Sequence, residues 1–204
     1  MSAAAVEHPC DGEPESLLES ANRLSEQLPP GYRVEIIGGV ITVAPSPDGP
    51  HADALTTLVL AFGATGLHGE ESRVLQGPGI WLPSGPQDYA IPDLALVDAD
   101  YREHPAENAT YDPSVFRLVL EVTSSNYQND LRNKVSAYAY AKIPVYVILD
   151  RRHGRVHVLT EPADGTYDSH EVYAPGQTAE LPDSIGAKVT LDVAELVAAG
   201  RPRA

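Results

Sequence analysis

Apolar and polar positions repeat with two different periods along this chain, and the switches between them mark out its elements. In residues 15–28, Leu17, Leu18, Leu24 and Leu28 recur at helical spacing and the run stops at Pro29-Pro30, which predicts a short amphipathic helix. Two β-rich runs follow, at 32–37 and 40–45, split by Gly38-Gly39, the signature of a tight hairpin. A Pro/Gly loop at 45–50 leads to a second predicted helix at 51–67, with Leu55, Leu58, Val59 and Phe62 on one side. Gly- and Pro-punctuated strands are predicted from 72 to 97, the last being the compact apolar run at 93–97. Residues 98–114 are polar, contain Pro105 and Pro113, and read as a loop.

The most regular stretch is a strand at 115–123, a helix at 129–142 and a strand at 145–150. Pro144 ends the helix by disfavouring the helical conformation at Ile143. Strand–helix–strand order predicts a βαβ unit with a right-handed crossover. Segments 155–160, 169–175 and 191–199 complete an α/β fold, expected to be a mixed, bent sheet flanked by helices around that βαβ core. Residues 1–14 are small and polar and are expected to form a disordered tail, leaving 15–204 as a single domain.

Composition narrows the classes. Hydrophobic residues make up 43% of the chain, enough for a real core. No apolar run is long enough to span a bilayer, the N-terminus lacks a secretory pattern, and Cys10 is the single cysteine, so a cytoplasmic protein is expected. A net charge of −15, from 29 acidic against 14 basic residues, weakens the expectation of strong non-specific DNA binding.

Three places along the chain stand out. Asp93 follows Pro92 and opens an apolar strand. Glu121 sits late in the apolar run at 118–122, where strands normally avoid a carboxylate. Asp130 and Lys134 lie four apart on the following helix and share a face. Two carboxylates on neighbouring strands repel unless a positive charge lies between them, and hard oxygen ligands suit Mg²⁺ or Mn²⁺. Each residue also has a plainer reading. Asp93 would be a turn residue. Glu121 would face solvent or pair with Arg117 or Arg132. Asp130 and Lys134 would form a surface ion pair. No HExxH, Cys/His, P-loop, GxGxxG or GxSxG pattern is present.

Taken in order, Pro92-Asp93, Glu121-Val122-Thr123-Ser124, Asp130 to Tyr138 and Ile143-Pro144 to Asp150 resemble the Uma-type restriction-endonuclease family of the PD-(D/E)XK superfamily. Upstream, Tyr32-Arg-Val-Glu35 to Gly39 is similar to that family's hairpin, and Pro45-Ser-Pro followed by His51 to its Pro-rich turn and histidine. The resemblance covers about residues 15–195. It implies a restriction-endonuclease-like fold and Mg²⁺-assisted hydrolysis of DNA phosphodiester bonds, with Asp93 and Glu121 on the metal and Lys134 as the cation. The superfamily lysine lies two residues after the acid, where this chain has Thr123; of its three lysines, Lys134 fits a shift onto the next helix better than Lys142 or Lys188.

Glu35, His51, Asp130 and Tyr138 are further candidates. The plainer reading of Glu35 is an outward strand residue, and of His51 a capping or surface histidine. A homodimer is expected by analogy, because cutting a duplex takes two sites. Against the nuclease stand a fold-retaining module that binds a protein, and a metal-dependent hydrolase of another phosphate ester.

Overall fold

The computed structural model describes residues 15–123 and 132–201, and every element count refers to those residues. Helix α1 (Leu17–Gln27) starts at a capping box in which Ser16 and Glu19 satisfy each other's backbone N–H groups. Strands β1 (Arg33–Ile37) and β2 (Val40–Ala44) form the expected hairpin. Its two-residue turn needs positive φ at both positions, which Gly38 (61°) and Gly39 (72°) supply. Helix α2 (Gly49–Ala64) begins two residues earlier than the periodicity suggested, because Asp48 caps it by accepting the His51 N–H at 2.8 Å.

Strands β3 (Ser72–Gln76), β4 (Gly79–Trp81), β5 (Tyr89–Ala90) and β6 (Leu94–Asp98) follow. The stretch expected as loop contains a 3₁₀ turn at Tyr101–Glu103 and the short β7 (Thr110–Tyr111), which pairs with β4. Strand β8 (Phe116–Val122), helix α3 (Lys134–Tyr140) and strand β9 (Val145–Asp150) make the βαβ core, with β8 and β9 parallel. Lys142 takes a left-handed conformation (φ 57°) just past α3. The expected helix start at 129, and Asp130 with it, lies outside the described residues. Strands β10 (Arg155–Ala163), β11 (Thr166–Tyr173), β12 (Thr178–Glu180) and β13 (Thr190–Asp192) and helix α4 (Val193–Gly200) complete the chain.

Two main sheets share the strands where the sequence suggested one. The larger has the order β11-β10-β9-β8-β6-β3, the smaller β2-β1-β5-β4-β7, and β12-β13 is a separate ribbon. One face of the large sheet, with Leu94, Leu96, Leu118, Leu120 and Val147, packs against Leu58 and Phe62 of α2 and Leu196 of α4. The opposite face, with Ala95, Val119, Tyr146 and Ile148, packs against Ala137 and Tyr138 of α3 and against Ile37 and Ile80 of the small sheet. Covered on both sides, the central strands read as continuous apolar runs. Burying each such aliphatic side chain contributes about 1.5–3 kcal/mol. A carboxylate inside those runs therefore needs a compensating partner. Among the described residues, no helix is long and apolar enough to cross a membrane.

Candidate active site

The chain passes from the small sheet to the large one between β5 and β6, through Ile91-Pro92-Asp93. Asp93 immediately precedes Leu94, whose partner in β8 is Leu120. Continuing that antiparallel register sets Asp93 opposite Glu121, and directly opposed residues project from the same face. Asp93 Oδ2 accepts the Val122 N–H at 2.8 Å, which ties the strand crossing to the end of β8. From the small sheet, β1 brings Arg33 and Glu35, two apart and so on one side of the strand. Both grip the crossing: Arg33 donates from Nη1 to the Ile91 carbonyl (3.3 Å), and Glu35 Oε1 accepts the Ile91 N–H (2.7 Å).

Helix α3 supplies Lys134 and Tyr138, one turn apart. Lys134 Nζ lies 2.9 Å from Glu35 Oε1 and 2.8 Å from Glu121 Oε1, and the Tyr138 hydroxyl donates to Glu121 Oε1 at 3.0 Å. Arg33 Nη2 is 2.6 Å from Asp93 Oδ1, and His51 Nε2, from the first turn of α2, is 3.0 Å from Asp93 Oδ2. Glu35, His51, Asp93, Glu121 and Lys134 are each no more than 3% exposed. The structure thus gathers Glu35, His51, Asp93, Glu121, Lys134 and Tyr138 at one point. Glu35 is not an outward strand residue. Glu121 faces the interior, while Arg117 pairs with Asp98 instead. The His51 ring is buried, although its backbone N–H is capped.

Burial alone would raise the Asp93 carboxyl. The His51 hydrogen bond, the Arg33 and His51 charges and the Val122 N–H outweigh burial and hold it well below the usual carboxylate range. Burial opposes the charge on Arg33 most strongly, yet Asp93, Glu121 and Glu35 together keep the guanidinium firmly protonated. Burial, followed by the nearby Glu121 and Glu35, pushes the Tyr138 phenol far above its ordinary value, so it serves as a hydrogen-bond donor.

Lys134 lies between Glu35 and Glu121, whereas the sequence argument asks for a cation between Asp93 and Glu121; the cation set against Asp93 is Arg33. Its burial gives Lys134 a part in the fold as well. Removing the ammonium strands two buried carboxylates, a loss of about 3–5 kcal/mol. Thr123, at the motif's lysine position, does different work: its Oγ1 accepts the Arg151 N–H at 2.9 Å and joins the ends of β8 and β9. Sequence reasoning overlooked Arg33. Its position two residues before Glu35 on a predicted strand was the available signal, since strand periodicity sends both to the same side.

Among the described residues no three His, Cys, Asp or Glu side chains are grouped to hold a metal ion. Mg²⁺ does not demand such a cage. It is commonly held through one or two carboxylates, with water and substrate oxygens completing the octahedron. The oxygen donors of Asp93 and Glu121 suit it in kind. Asp93 Oδ1, with Arg33 as its described partner, keeps lone-pair capacity.

The mixed α/β architecture, with mixed sheets flanked by helices, is a restriction-endonuclease-like fold. The same fold is found in the crystal structure of "a putative nuclease belonging to DUF820" from Anabaena variabilis, which is 17% identical, with a TM-score of 0.66 over 91% of this chain and 99% of that one. The model of the Uma2 family, described as "Putative restriction endonuclease", matches residues 19–194, and the chain belongs to that family. No curated protein matches it significantly.

Proposed function

We propose that this protein is a Mg²⁺- or Mn²⁺-dependent endonuclease that hydrolyses phosphodiester bonds in DNA. The observation that carries this reading is the burial of Lys134 between Glu35 and Glu121, beside the neighbouring Asp93. A fold gains nothing from burying several carboxylates and two cations together when apolar packing of equal volume would be as stable. Such a cluster is the mark of a functional site.

In this reading Asp93 and Glu121 hold the divalent ion. When bound, the ion would polarise the phosphoryl oxygen and lower the pKa of the attacking water. The chain's own residues orient and compensate. Arg33, His51 and the Val122 N–H keep Asp93 ionised and aimed; Tyr138 fixes one oxygen of Glu121. Lys134 offsets charge as the phosphorus takes up the water oxygen and releases the ester oxygen, which leaves protonated. Cutting both strands of a duplex calls for two such sites, so a homodimer is the assembly we propose.

A second reading has one observation in its favour. Both Asp93 oxygens are already partnered by protein groups, and Arg33 and Lys134 offset the carboxylates without any metal. A module that keeps the fold and binds a protein would be arranged in this way. Plasmid nicking in Mg²⁺ or Mn²⁺, beside an Asp93→Ala control, separates the two. The nuclease nicks, the variant does not, and millimolar Mn²⁺ raises the melting temperature of the parent alone. Absence of nicking together with a melt indifferent to Mn²⁺ would leave the binding module.

A further inference from the structure

Next to the carboxylate cluster, and sharing Arg33 and Ile91 with it, lies a cavity of about 290 Å³, near the lower end of the range for small-ligand sites. Its walls include Asn22 and Ser25 of α1, Tyr32 and Arg33 at the start of β1, and Asn108 to Thr110 leading into β7, the partner strand of β4. In a chain with 29 acidic residues, no carboxylate is among the described residues that line it, and Arg33 is their one charged group. The remaining polar lining consists of hydroxyls and amides, which can donate to an anion without bringing charge of their own.

Arg33 belongs to both places. Its side chain is 25% exposed, against 3% for its partner Asp93. Of the five N–H donors on a guanidinium, its described hydrogen bonds use Nη2 for Asp93 and Nη1 for the Ile91 carbonyl. The planar fork therefore keeps donors for a second anion, and forked donation to phosphate is what distinguishes arginine from lysine. Asn108 and Ala109 hold consecutive left-handed conformations (φ 54° and 55°), which bend the chain around the cavity's rim. Residues held in such sparsely populated conformations cluster at ligand sites.

We infer that this cavity is a phosphate-binding subsite, with Arg33 at its base, that seats a phosphate of the nucleic-acid strand next to the one being cleaved. The inference rests on the nuclease reading for the identity of the strand, and on the cavity's chemistry for the phosphate. It also answers the difficulty posed by the net charge of −15: a polyanion needs only a local acid-free entry with a cation, and this cavity is one, adjoining the reactive carboxylates.

The test is binding without cleavage. Fluorescence anisotropy of a short labelled DNA duplex is measured in EDTA over a series of salt concentrations. Parent, Arg33→Gln, Asn108→Asp and the remote Lys188→Gln are compared. Asn108→Asp is the cleaner variant, because it puts a carboxylate into the cavity while Asp tolerates the left-handed backbone as Asn does. It leaves the Arg33–Asp93 pair untouched. Asn108→Asp and Arg33→Gln should each weaken binding about tenfold, and Arg33→Gln should also lower the salt slope by about one, while Lys188→Gln binds as the parent does. Parental affinity in both cavity variants overturns the subsite. If the parent does not bind the duplex at all, the DNA reading is what fails, and thymidine 5′-monophosphate and inorganic phosphate become the probes in calorimetry. Binding of either that is lost in Asn108→Asp keeps the cavity as a phosphate site; binding of neither removes it.

Discussion

Glu121 and Asp150 make an informative pair. Each is an acid at the C-terminal end of a central strand, the two strands are parallel neighbours, and the side chains are almost equally buried. Their partners differ in origin. Asp150 is satisfied by the residues that follow it: Oδ1 accepts the Arg152 and His153 N–H groups, both at 3.0 Å, and Oδ2 lies 2.8 Å from His153 Nδ1. It closes a turn. Glu121 is met by Lys134 and Tyr138 from the next helix and, through Lys134, is linked to Glu35 from the other sheet. An acid satisfied by its own turn can be explained by folding alone. An acid whose compensation is assembled from distant elements is costly to build, and the proposed nuclease function would be the reason to keep it.

That contrast breaks first at Lys134. Lys134→Met should lower nicking per folded molecule by about two orders of magnitude or more and destabilise the fold by about 3–5 kcal/mol. Adding Glu35→Gln should return part of the stability but none of the activity, as read by denaturant melts beside the nicking assay. If activity returns with stability, the ammonium serves only the fold.

Acid should expose the cluster next. The Asp93 carboxyl is depressed in the folded protein, so its stabilising contribution is complete above the unfolded value near 4 and disappears as pH falls through the folded value. The stability gap between parent and Asp93→Asn, measured by denaturant melts, should therefore be widest near neutrality and narrow below about pH 4. A gap that stays constant with pH would mean that Asp93 is not held ionised by Arg33 and His51.

Asp150→Asn should show the opposite profile to Lys134→Met: a loss of about 1–3 kcal/mol from weakened turn hydrogen bonds, with nicking per folded molecule unchanged. A nicking defect as deep as that of Glu121→Gln would erase the distinction between the two acids. The smallest effect belongs to the partly exposed Arg117–Asp98 pair. Asp98→Asn should cost no more than about 1 kcal/mol, a shift of a few degrees at most by calorimetry.

Much of this was legible in the chain before any coordinates. The Gly38-Gly39 hairpin follows from local backbone preference, and the β8–α3–β9 unit from a change of hydrophobic period with Pro144 as its stop. Asp93 and Glu121 announced themselves by interrupting apolar patterns, since a charge in such a run demands an explanation; Lys134 was singled out by its spacing from Asp130 and by the family resemblance. Glu35 and His51 could not be decided in the same way. On a strand, the choice between core and solvent depends on what covers each face, and a histidine in a helix's first turn reads alike whether its ring is buried or not.

Local pattern thus determined which elements form and which residues are anomalous, because backbone preference and hydrophobic period act over a few neighbours. Only the tertiary structure decided that the strands divide into two sheets and that the chain crosses between them at Ile91–Asp93. It alone set Arg33, 60 residues away in sequence, against Asp93, and made that arginine part of the wall of an acid-free cavity. Those outcomes depend on how faces pack and which buried charges meet, and such long-range compensation leaves no periodic trace in the chain.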